Sequence, residues 1–138
     1  NNVRADVQLK PNGHVVGIGW DVTLTAFDPS WRSEIRVDMT DSAITDGIGL
    51  APGAADGSPG GPTAYSSGGI IDLVGAGLDF FVGADGVLSL EFYEGFDDAA
   101  GVIDGEWNQG VLTVVWVPAP GAAAVLGLGG LMAVRRRR

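Results

Sequence analysis

Residues 16–26 carry the clearest folding signal in the chain. Val16, Ile18, Trp20, Val22, Leu24 and Ala26 fall on one side of an extended backbone, and Asp21, Thr23 and Thr25 fall on the other. Period-two alternation of this length predicts a half-buried β-strand. Such a strand needs a sheet around it and a second layer over its apolar face.

The neighbouring segments repeat the pattern. Val3, Ala5, Val7 and Leu9 alternate with polar residues up to a turn at Pro11-Asn12-Gly13. After a second turn at Asp28-Pro29-Ser30, Ile35, Val37 and Met39 point inward while Glu34, Arg36, Asp38 and Thr40 point out. Residues 51–69 are rich in Gly, Pro, Ser and Ala, a composition that orders poorly by itself and predicts a long loop. Short strands are expected on either side of it, at residues 48–50 and 70–73.

Leu78, Phe80 and Val82 suggest a further strand. It turns at Ala84-Asp85-Gly86 and pairs back with residues 87–93, where Leu88, Leu90 and Phe92 share a side. Residues 111–117 are apolar on both faces, which predicts a strand central in its sheet or covered by a neighbour. Seven or eight such strands make residues 1–116 an all-β domain, a two-sheet, jelly-roll-like sandwich.

Charge narrows the function classes. The net charge is −9; four of the eight basic residues lie at 135–138 and none of the 17 acids lies beyond 116. Four bases against 17 acids leave the body at −13, a sign that disfavours nucleic acid, whose phosphates need clustered Lys and Arg. No cysteine is present, so neither a disulfide framework nor a Cys-based zinc site is available. The chain starts at Asn1 with no apolar leader, as expected of a mature form or a fragment whose signal peptide is missing.

Residues 117–138 differ in kind. Val117, Pro118, Ala119, Pro120 and Gly121 form a hinge, residues 122–134 an uncharged apolar run, and Arg135, Arg136, Arg137 and Arg138 a basic stop. As a helix the 13-residue run reaches about 20 Å, short of the roughly 30 Å hydrocarbon core. Gly127, Gly129 and Gly130 make it a poor helix in water. The four arginines would stay on the cytoplasmic side. This is a marginal anchor, suited to a segment held briefly and then removed.

Pro-Ala-Pro, a short apolar helix and a terminal Arg cluster resemble the PEP-CTERM sorting signal of Gram-negative bacteria, with Ala119 where the family's glutamate usually stands. The resemblance implies processing by an exosortase at the inner membrane. It also implies delivery to the cell surface or extracellular matrix and an association with exopolysaccharide and biofilm. In the body, residues 21–39 and 88–116, with Gly105-Glu106-Trp107 and Gly110-Val111-Leu112-Thr113, resemble secreted jelly-roll domains such as the P-domain of proprotein convertases. That is a likeness of fold.

Candidate chemistry is sparse. His14 is the lone histidine, and no G-x-S-x-G elbow accompanies it, so it reads as a surface residue rather than a catalytic base. Following Glu91, the acids Glu94, Asp97, Asp98, Asp104 and Glu106 gather hard oxygen donors that could hold Ca²⁺, without the EF-hand spacing. The same carboxylates offer a weaker glycosidase reading. Trp20 and Trp116 are expected in the core; Trp31 and Trp107, at turns, are candidate carbohydrate-stacking platforms. The sequence therefore predicts an exported, non-enzymatic sandwich protein with exosortase and the inner membrane as partners and exopolysaccharide as a further one. The alternative is a calcium-dependent carbohydrate-binding or adhesion module.

Overall fold

The computed structural model describes residues 2–98 and 100–119. Its strands are β1 (Val3–Gln8), β2 (His14–Ala26), β3 (Ile35–Asp41), β4 (Gly47–Leu50), β5 (Gly60–Ser66), β6 (Ile71–Asp72), β7 (Phe80–Phe81), β8 (Val87–Glu94) and β9 (Gly105–Val117). A 3-10 turn, Arg32–Glu34, precedes β3, and a single helical turn, α1 (Leu73–Ala76), follows β6. All pairings are antiparallel. The first sheet runs β1-β8-β3-β4.

The second sheet is built around β2. Along one side β2 pairs with β9 over its whole length; along the other it meets β7, β6 and β5 end to end. His14 thus lies between Phe81 and Val117, and Asp21 between Ser66 and Val111.

The two sheets pack face to face, and the core is the sum of their inner faces. Val15 and Ile18 from β2 meet Val37 and Met39 from β3 and Leu88 and Leu90 from β8, closed by Leu73, Phe80 and Val82. A second group, Val22, Leu24, Ala26 and Ile35, fills the other end. The expected all-β, two-sheet architecture is present. The inward set of β3 is the one its alternation predicts.

Five expectations need correction. Val15 is buried, and Val16 only in part, because the register between β2 and β9 shifts between Val15 and Gly17. A bulge of this kind moves the side-chain phase by one residue. Residues 51–69 are not one loop, since β5 lies within them and pairs with β2 from Asp21 to Ala26.

Residues 78–82 and 87–93 do not form a hairpin: β7 joins β2, while β8 lies between β1 and β3. Finally, residues 111–117 are not a central strand. They belong to β9, which starts at Gly105 and, among the described residues, pairs with β2 alone. The expected strand at residues 70–73 is two residues long before α1 begins.

Candidate functional site

The acidic end of the sandwich forms where β3, β8 and β9 meet. Ile35 opens β3 opposite Glu94, the last residue of β8. Gly105, the first residue of β9, sits directly beneath the Glu94 carboxyl; a Cβ there would collide with Oε1 and with buried Ile35. A side chain at 105 would force the Glu94 carboxyl or Ile35 to shift.

Loop residues 95–104 are fastened to the turn before β3. The Gly95 amide donates to the Glu34 carbonyl at 2.8 Å, and the Phe27 amide donates to the Asp104 carbonyl at 2.8 Å. Buried Ser30 donates its hydroxyl to Asp98 Oδ2 at 3.2 Å.

These contacts put Glu94 in an adverse environment. Its Oε1 is buried without a hydrogen-bond partner. Burial first, and then the nearby charges of Asp104, Glu34, Asp98 and Asp97, push its pKa up to about 7. Thus four of the five predicted metal ligands, Glu94, Asp97, Asp98 and Asp104, share one electrostatic neighbourhood, with Glu34 added. Glu106 lies one residue into β9 and pairs with Thr25 on an exposed position. Among the described residues, no group of three or more His, Asp or Glu side chains is arranged to hold a metal ion.

The two tryptophans occupy different settings. Trp31 is half exposed beside Gly57, where an added Cβ would touch the indole at 3.5 Å. Trp107 is half-buried, meets Phe92 edge-on at 5.2 Å, and its Nε1 is buried without a partner. Trp20 and Trp116 are likewise half-buried against the core.

Of the sorting motif, Val117 ends β9, and Pro118 and Ala119 follow it. Pro120, Gly121, the apolar run at 122–134 and Arg135, Arg136, Arg137 and Arg138 lie outside the described residues. No helix among the described residues is long and apolar enough to cross a membrane.

Sequence reasoning passed over two polar clusters. Arg32 Nε donates to Asp56 Oδ2 at 2.8 Å and to the Tyr65 hydroxyl oxygen at 3.0 Å. Its Nη1 donates to the Pro59 carbonyl at 2.6 Å, and Tyr65 donates to Asp56 Oδ2 at 2.5 Å. This clamp holds the 51–59 loop to β5. The Arg32 guanidinium, then the Tyr65 hydroxyl, lowers the Asp56 pKa to about 2.

His14 is no free surface residue. Its Nε2 lies 2.7 Å from Asp79 Oδ2, and its ring stacks on Phe81 at 4.1 Å. Neither cluster has a sequence signal, because each joins residues from separate elements. No protein family, curated protein or solved structure matches the chain.

Proposed function

We propose that this chain is an exported, non-enzymatic sandwich protein of the cell surface or extracellular matrix, delivered by an exosortase-processed C-terminal signal. The observation that carries the reading is the order Val117-Pro118-Ala119-Pro120-Gly121, apolar run, Arg135–Arg138. One structural fact supports it: β9 runs to Val117, so the hinge follows the sheet with no intervening linker. Cleavage at the hinge would take place close against the folded domain. A jelly-roll-like wiring, an apolar helix at 122–134 in lipid, and contact with exopolysaccharide after release belong to the same proposal. The long crossovers that place β8 between β1 and β3 favour the wiring.

The test is intact mass of the exported product from hosts with and without the exosortase. Loss of the mass of the Arg-terminated tail only in the positive host is the expected result. A product that keeps Arg135–Arg138 there overturns the assignment.

A second reading, a calcium-dependent carbohydrate or adhesion module, is favoured by the unpartnered Glu94 Oε1 among Asp97, Asp98 and Asp104. A cation would supply that oxygen's missing partner. Calorimetric melting with calcium and with chelator tests it, and an unchanged melting temperature ends it.

A further inference from the structure

The two sheets differ in width, and the difference falls on one side. Strand β4 lies against β7, β3 and β8 pack over β2, and Phe92 of β8 meets Trp107 of β9. In this stacking β1 has no strand opposite it among the described residues, and its six residues are all exposed. Val3 and Val7 share a face with their cross-strand partners Phe92 and Leu88. Leu88 is 1% exposed, yet Val3 and Val7 are 63% and 41% exposed. The apolar inner face of β1 is bare.

An unfinished edge runs beside that face. Strand β9 pairs with β2 alone among the described residues, which leaves the backbone groups on its other side without a ladder. From Gly110 to Val117 the edge carries no charged side chain, although proteins usually blunt such edges with Lys, Pro or a cover. Between the sheets, Val22, Phe92, Trp107, Gln109, Gly110 and Leu112 line a cleft of about 240 Å³. Strands lie about 4.8 Å apart, so one strand added beside β9 would complete its ladder and cover β1.

Charge along this edge is lopsided. Glu106 lies next to Gly105 at the start of β9, and Glu34, Asp97, Asp98 and Asp104 stand around Glu94 above it. Arg36 reaches the same end beside Gly95 and is outnumbered. Arg4, on β1, is already paired with Glu91 at 2.9 Å.

We propose that this trough takes an extended segment of a partner protein, added to the second sheet beside β9. The segment has about eight residues with alternate apolar side chains, followed by lysines or arginines. Its backbone completes the β9 ladder, and its apolar face lies on Val3, Val7 and Leu112. Every pairing in the sandwich is antiparallel. A segment that follows suit brings its C-terminal end beside Gly105, where its cations meet the acids. A second copy brings the same excess of acids and is disfavoured by its charge. This binding role is separate from how the chain is delivered.

Hydrogen exchange on the full chain at low ionic strength tests it. The probe is a synthetic peptide of four Val-Thr repeats ending in three lysines. At saturation it should slow the β9 amides that point away from β2 by at least about tenfold. Amides around Leu24 should not change, which reports an intact sandwich. The same peptide ending in three glutamates should give no slowing. Val7→Ser, which removes part of the apolar floor, should weaken binding of the lysine peptide by about threefold.

Outward β9 amides that are already slow without peptide show the edge to be covered, and amides that neither peptide slows show that it takes no strand. Either result overturns the proposal. Slowing that grows with protein concentration in the absence of peptide assigns the edge to a second copy and overturns it too. Equal slowing by both peptides removes the cationic partner, and unchanged affinity in Val7→Ser removes β1 as the floor; each refutes the binding mode.

Discussion

Glu94→Gln gives the sharpest test of how the acidic end is built. In the folded protein the Glu94 pKa rises from 4.5 to about 7. Below 4.5 both the folded and unfolded chains hold the proton, and the residue contributes nothing to pH dependence. Between 4.5 and about 7 the unfolded chain releases it while the folded chain keeps it, so stability falls as pH rises. Above 7 the cost is constant.

At 1.36 kcal/mol per pH unit the full difference is about 3 kcal/mol. The side chain is half-buried rather than enclosed, and salt screens Asp97, Asp98 and Asp104. A figure of about 1–2 kcal/mol is therefore the expectation. Glutamine keeps the shape and cannot ionise. Relative to wild type, Glu94→Gln should gain that amount between pH 4 and pH 8, at about 3–4 °C of melting temperature per kcal/mol for a chain of this size.

Thermal unfolding followed by circular dichroism at fixed ionic strength, in steps from pH 4 to pH 8, measures it. Any constant effect of the amide cancels when the difference is followed across pH. High salt should shrink the part due to the acidic neighbours and leave the part due to burial. A wild-type-to-variant gap that is flat with pH, or that favours the variant most at pH 4, would refute the reasoning.

Three further outcomes follow from the packing. Asp56→Asn should lower the melting temperature at neutral pH. The loss should fade as pH falls from 3.8 toward about 2, because a depressed carboxyl pKa stabilises only while the group is ionised; acid titration of unfolding reads both. Gly110→Ala should destabilise by about 3 kcal/mol in urea unfolding, since Gly110 has φ +134 and an added Cβ would strike the Asp21 carbonyl and the Val22 backbone. Leu24→Ala, at a fully buried site, should cost about 3 kcal/mol in the same assay.

What the sequence makes legible here is half-buried backbone. In β3 polarity matches the side of the sheet from Ile35 to Thr40, so Ile35, Val37 and Met39 could be placed inside without a structure; the last residue, Asp41, is buried and its carboxylate accepts from Thr45 and Asp46. Strand β5 was not readable. Gly60-Gly61-Pro62-Thr63-Ala64-Tyr65-Ser66 has no apolar alternation, and its ladder with β2 and the Arg32–Asp56–Tyr65 clamp hold it instead.

In β9 the signal misled. Apolar side chains on both faces usually mean cover on both faces, but Val111, Val115 and Val117 are exposed on an edge. At the acidic end, the clustering of carboxylates was visible in order along the chain. The burial of Glu94 was not, because it arises from Gly105 being pressed under it from another strand.

The misreading of β9 carries the more general argument. An uncharged eight-residue edge such as Gly110–Val117 is a template for pairing with any extended apolar segment. A chain whose body carries −13 is protected from its own copies by repulsion, but that protection weakens in salt.

Light scattering across a salt series reads that protection directly. Association that grows with ionic strength is the expected result, and a chain that stays monomeric at every salt concentration would refute the repulsion argument.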